Sequence, residues 1–359
     1  MNRSAHRPLA AGAALLALAA VASTIARPAA ADPIADFYKG RTVTVAIPAG
    51  PVGGYAIYAR LAVEFMPRFV PGHPSFVFQA MPGGGGAKAS NYTYNAAPRD
   101  GSFLLAIVQT VAMDDAMKAP GMKFDARKFI YIGRFADNTP VTACSAAAGV
   151  TSYDVIRSRQ VITGGTGPAS PTDITPKLLN RYGAAKFKLV TGYKDPGDIG
   201  LALERGEVDC MTGSWVNYKT AMAAQLRDRK IVPLIQFATK RHPELPDVPT
   251  VVDLARGAEG KAVARFLASG SDIGRSLAAP PGVPADRVAA LRAAFQAMVK
   301  DATFLADAAK RHFDINPATG DELAKLVDET LATPPDIVAK AAAITRSGAK
   351  GGGAAKGKK

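Results

Sequence analysis

The strongest constraint on this chain is an alternation that begins near residue 40. Short β-branched runs end in glycine or proline and give way to helical stretches. RTVTVAIP (41–48) reads as a strand, AGPVGGY follows it, and Ile57, Leu61 and Phe65 then recur every four residues along one helix face. FVFQAM (76–81) and SFLLAIVQT (102–110) repeat the theme, as do RQVITGG (159–165), FKLVTGY (187–193), EVDCMTG (207–213) and IVPLIQFA (231–238). Strands alternating with helices call for parallel sheets covered on both faces. At 359 residues, two smaller sheets suit the length better than one. FADNTPVTACSAAAG (135–149) reads as the passage from one sheet to the other, and RHPELPDVPT (241–250) as a surface loop. Helical patterns follow over 283–312 and 321–342.

The two ends lie apart from this pattern. MNRSAHR, the apolar run PLAAGAALLALAAVAS and Ala29-Ala30-Ala31 read as a secretory signal over residues 1–31, cleaved before Asp32. A membrane anchor is the alternative, but the run is short of the about 20 apolar residues a span requires. The tail SGAKGGGAAKGKK (347–359) lacks apolar residues to pack and is expected to be disordered. Arg3, Arg7 and Arg27 lie in the leader and four lysines in the tail, so the formal charge of +14 falls by seven, to +7, on the folded part. That charge is scattered, with no basic run interleaved with aromatics, which argues against a nucleic-acid partner. Cys144 and Cys210 are either a pair, if the chain is exported, or isolated buried thiols.

Catalytic chemistry is thinly represented. Lys88 lacks the preceding glycine and following serine or threonine of a phosphate-binding loop, having Ala87 and Ala89 instead. The run from Gly165 to Ser170 approaches a dinucleotide fingerprint, but the strand after it offers no carboxylate for a ribose. No nucleophile elbow, zinc-binding helix or paired-cysteine motif occurs, and Asp114-Asp115 reads as a solvated acid pair. No catalytic residue, metal or cofactor is expected. The glycines are more telling. Gly50, Gly53 and Gly54 follow one strand, Gly83 to Gly86 the next, and Gly164, Gly165 and Gly167 another in the second half. In open parallel sheets these are the carboxyl ends of strands, where ligands bind. Each loop opens a helix, whose free N–H groups and positive dipole end suit a small anion.

The segment DFYKGRTVTVAIPAGPVGGYAIYARL resembles the opening of the tripartite tricarboxylate transporter substrate-binding proteins, the Bug family. The likeness continues in order through QAMPGGGGAKASNYTYNAAPRDG, FDARKFIYIGRF, ITGGTGPAS, FKLVTGYKDPGDIGLALERGEVD, RHPELPDVPT and APPGVPADRVAALRAAF. The resemblance implies an α/β type II periplasmic-binding-protein fold, two doubly wound lobes around a ligand cleft. One lobe would comprise 32–138 plus 240–346 and the other 139–239. It implies a monomer in the periplasm that captures a small organic carboxylate and delivers it to integral-membrane permease subunits. Two alternatives remain: a ligand-sensing adaptor for a membrane signalling partner, and an extracytoplasmic enzyme on the same fold. Family ligands range over tricarboxylates, dicarboxylates, amino acids and aromatic acids.

Carried over residue by residue, the resemblance implies ligand contacts at Gly53, Gly54 and Tyr55 in the first loop and at Gly83 and Gly85 in the second. Gln109 and Thr110 end the third strand facing the cleft, and Thr166, Gly167 and Ser170 form the loop of the other lobe. Tyr193 and Lys194 end a further strand, and Trp215 is either a cleft wall or core packing. Two positions depart from the pattern: Ala56 stands where the family commonly has aspartate, and Ala169 where it has glycine. Asp173 is expected to supply part of what Ala56 lacks. Helix N-termini of both lobes would hold the carboxylate through backbone N–H groups and water, and lobe closure would desolvate it.

Overall fold

The structure, a computed structural model, describes residues 32–51, 53–167 and 170–346. The expected signal segment (1–31) and basic tail (347–359) lie outside the described residues. The first sheet contains β1 (Thr42–Ile47), β2 (Ser75–Ala80), β3 (Phe103–Ile107), β4 (Ile130–Ala136), β10 (Arg275–Ala279) and β11 (Ala318–Thr319), in the order β11-β4-β10-β3-β1-β2. The second contains β5 (Pro140–Ser145), β6 (Val161–Gly165), β7 (Phe187–Thr191), β8 (Cys210–Ser214) and β9 (Ile231–Gln236), in the order β7-β6-β8-β5-β9.

The sheets are mixed rather than purely parallel, which corrects the expectation from the alternation. β1 runs parallel to β2 and β3, but β10 is antiparallel to both β3 and β4. Likewise β6 is parallel to β7 and β8, while β5 is antiparallel to β8 and β9. The cause is topological. The chain passes from the first sheet to the second between β4 and β5, and returns ahead of β10. A strand arriving from the other lobe starts at the crevice between them, so it runs opposite to strands that end there. This arrangement is the two-lobed type II periplasmic-binding fold.

Each sheet is packed on both faces. Alternation in β1 sends Val43, Val45 and Ile47 to one side, where Phe65, Phe135, Phe295 and Phe304 meet them. Ala46 faces the other side with Leu105, Ile107, Tyr131 and Val327. Full burial of each such large side chain contributes about 1.5–3 kcal/mol. In the second lobe, Ile199, Met211, Trp215 and Tyr218 fill one face. The other face is covered by Ile174, Leu178 and Phe187 together with Val263, Phe266, Ile337 and Ile344. Those last four sit on the helices Gly257–Ala268 and Pro335–Arg346. These two helices therefore join the second lobe's core, against each other and the helix Pro171–Tyr182, whereas the segment 240–346 was assigned above to the first lobe. Their apolar stripes match whichever apolar surface is uncovered, and sequence periodicity does not say which. Cys144 and Cys210, register partners on β5 and β8, form a buried disulfide.

Candidate functional site

A cavity of about 770 Å³ opens between the lobes, where strand ends of both sheets converge. From the first lobe it is lined by Pro48 and Ala49 after β1, Gly84 and Gly85 after β2, and Val108, Gln109 and Thr110 after β3. From the second it is lined by Thr166, Gly167 and Ser170 after β6, and by Thr212, Gly213 and Ser214 at the end of β8. The two reversed strands add their first residues, Pro140 and Arg275.

A hydrogen-bonded chain crosses this floor. The Gln109 N–H donates to the Tyr55 hydroxyl at 3.0 Å. Gln109 Oε1 accepts from Arg275 Nη1 at 3.0 Å and from Asn138 Nδ2 at 2.9 Å. Asn138 Oδ1 in turn accepts from Ser214 Oγ at 3.3 Å. The Arg275 guanidinium carbon lies 4.4 Å from the Tyr55 ring centroid, within cation–π range. No carboxylate among the described residues pairs with Arg275, whose side-chain partners are Gln109 and the Tyr55 ring, although it is half-buried. A guanidinium with spare donors, held from behind and open to the cavity, is a ready partner for an anion.

Helix starts differ between the lobes. The helices Gly54–Phe65 and Ala87–Asn95 begin with no side chain capping their first N–H groups. The run Gly83 to Gly86 reaches the second of them with φ of 141°, 58°, 62° and 99°, conformations that only glycine adopts freely. In the second lobe, Ser170 caps the helix Pro171–Tyr182, and Asp195 caps Pro196–Glu204. The loop N–H groups there are also taken: Thr166 N–H donates to Thr172 Oγ1 at 2.9 Å, and Gly167 N–H to Asp173 Oδ1 at 3.0 Å. The first N–H groups of Ala87–Asn95 turn back to the carbonyls of Gly84 and Gly83, so the open positive backbone end in the first lobe is the start of Gly54–Phe65, which lies against Arg275. The second lobe presents hydroxyls.

Among the described residues, one acid lines the cavity. Asp114 Oδ2 accepts from Thr110 Oγ1 at 2.6 Å, and burial pushes its carboxyl up to about 6 despite that hydrogen bond. Its neighbour Asp115 is turned away, accepting from the Ala126 N–H. Asp114-Asp115 is thus not a solvated pair but two acids with separate partners.

Of the residues expected from sequence, Tyr55, Gly85, Gln109, Thr110, Thr166, Gly167 and Ser170 come together around the cavity. Gly53, Gly54 and Gly83 lie in the same loops behind the lining. Asp173 is 1% exposed and faces the loop and Lys177, not the cavity. Tyr193 packs beneath β6 against Gly164, and Lys194 is exposed outside the lining. Trp215 takes the core alternative: it is 6% exposed, packs in the second lobe and donates its Nε1–H to Glu244. Ala56 is 1% exposed inside the first-lobe core, so the missing aspartate leaves no gap in this cleft. Arg275, Asn138, Asp114 and Ser214 were not anticipated. A second cavity of about 590 Å³, lined by Arg134, Asp137, Lys240 and Asp272, contains Arg134 already bonded to the carbonyls of Asp272 and Asn316. Among the described residues no cluster of three or more metal-ligating side chains occurs.

No family model matches the sequence, and no curated protein matches it either. Solved structures do match in shape. A TctC solute-binding protein from Polaromonas superposes with a TM-score of 0.64 at 17% identity, covering 84% of this chain and 99% of that one. MatC from Rhodopseudomonas palustris, with bound malate, gives 0.59 at 23% identity over 83% and 99%. Another R. palustris protein, with adipate, gives 0.62 at 18% identity over 84% and 97%. The chain therefore has the two-lobed fold of the TctC-type solute-binding proteins.

Proposed function

We propose that this is an exported solute-binding protein that captures a small organic carboxylate between its lobes and hands it to a membrane permease of the tripartite tricarboxylate type. The observation that carries the reading is Arg275, a guanidinium without a carboxylate partner beside the uncapped start of the helix Gly54–Phe65. A carboxylate there would gain charge-assisted hydrogen bonds and the helix dipole together. The malate and adipate held by two structures of the same fold support it. The Cys144–Cys210 disulfide and the leader-like N-terminus support export to an oxidising compartment. No helix among the described residues is long and apolar enough to cross a membrane. Closure of the second lobe, with its hydroxyls, over the bound anion would desolvate it and create the form a permease recognises.

A thermal-shift screen of the chain from Asp32 against a broad carboxylate panel tests this. A ligand at a hundred times its Kd adds about 2.7 kcal/mol. If no carboxylate raises the melting temperature while ligands of another class do, the reading fails.

A further inference from the structure

We propose that the cleft selects a carboxylate of single negative charge, with an apolar body and one hydrogen-bond donor, and discriminates against di- and tricarboxylates. This rests on the carboxylate-binding reading and sharpens it. Among the described residues that line the cavity, Arg275 is the only cation and Asp114 the only anion. One carboxylate satisfies Arg275. A second would find no second cation and would lie in a low-dielectric space with Asp114, where like charges are costly.

Beside the hydroxyls of the second lobe, one part of the wall fits an apolar body. Pro48, Val108, Pro120, Met122 and Pro140 all face the cavity. Its volume of about 770 Å³ exceeds what a four-carbon diacid fills, and such space rewards apolar contact. Asp114 then specifies a second polar contact. Its Oδ2 is occupied by Thr110, and among the described residues nothing donates to Oδ1. A ligand hydroxyl or amine placed there would complete the acid's hydrogen bonding, whereas a purely apolar end would leave it unmet. The acceptor that Ala56 does not provide is thus present at a different point of the cleft.

Isothermal titration of the exported chain with matched probes tests this. The probes are 4-hydroxyphenylacetate, phenylacetate, 4-carboxyphenylacetate, adipate, malate, citrate and 4-hydroxyphenylacetamide. The expected order places 4-hydroxyphenylacetate first, with phenylacetate weaker and every di- or tricarboxylate weaker by at least about tenfold, the scale of one uncompensated charge interaction. Asp114→Asn should narrow the gap between 4-hydroxyphenylacetate and 4-carboxyphenylacetate, and Arg275→Gln should weaken all the acids. A di- or tricarboxylate that binds as tightly as the monocarboxylates overturns the selectivity while leaving carboxylate binding intact. Binding of the amide as tight as the acid, or no binding by any of the acids, overturns the carboxylate reading beneath it as well. The wild-type panel alone decides these outcomes, so the test does not depend on either variant folding.

Discussion

Gln109 and Asn138 are hydrogen-bonded across 2.9 Å at the point where the chain leaves one lobe for the other. The same Gln109 oxygen receives Arg275, and Asn138 passes the contact on to Ser214 at the end of β8. One carboxamide oxygen therefore links the proposed anion-binding arginine to the second lobe. Replacing Asn138 with alanine removes the link without touching Arg275. We expect ligand affinity to fall about tenfold, roughly the net value of one good hydrogen bond, with both lobes still folded. Titration calorimetry on the variant checks it, and an unchanged Kd would show that the link plays no part in binding.

Gly54 offers a cleaner probe of Arg275. A Cβ on Gly54 would lie 2.9 Å from both Nε and Nη2 of the guanidinium, too close for the arginine to stay in place. The backbone φ there is not positive and the residue opens a helix, so alanine is otherwise tolerated as well as glycine. Gly54→Ala should leave the melting temperature equal while weakening carboxylate binding about tenfold or more. Loss of both stability and binding would point instead to a damaged helix start.

Asp114 predicts a pH dependence. Its folded carboxyl is raised from the ordinary 3.8 to about 6 by burial. A raised folded value means the unfolded chain gives up its proton first. The protonated acid's contribution is therefore fully present below about pH 4 and lost as pH rises through about 6. A two-unit shift corresponds to at most about 3 kcal/mol, and solvent at this half-buried site reduces it. Urea unfolding at pH 4.5 and 7.5 should show wild type losing stability relative to Asp114→Asn over that window. Parallel curves for the two proteins would contradict it.

The parts of the site that were legible in sequence are those set by backbone requirements. Gly83 to Gly86 mark a turn that other residues enter only with strain, and the hydroxyls at Thr166 and Ser170 sit at a recognisable strand-to-helix turn. Arg275 was not legible, because it begins a strand instead of ending one. RSLAA carries no β-branched residue, and its reversed direction follows from a crossover between lobes that local pattern does not encode. Asp114 was hidden for a related reason. It and Asp115 look identical in sequence, and only packing turns one toward the cavity and the other toward Ala126.

Asp173 separates support from contact. Its Oδ1 holds the Gly167 N–H at 3.0 Å, and its Oδ2 lies 3.5 Å from Lys177 Nζ, a buried pair in which neither of those two atoms has another hydrogen bond. Removing one partner of such a pair strands the other charge, at a typical cost of about 3–5 kcal/mol. Asp173→Asn keeps an acceptor for Gly167 but strands Lys177, so it should destabilise strongly while the folded fraction still binds ligand. Adding Lys177→Met removes the stranded charge and should restore much of the stability. Asp173→Ala with Lys177→Met should be comparably stable yet bind more weakly, because the β6 loop then loses its anchor at Gly167. Comparing denaturant midpoints and Kd across these three variants separates the two roles. If Asp173→Asn binds ligand as poorly as the alanine variant, the carboxylate itself serves the site.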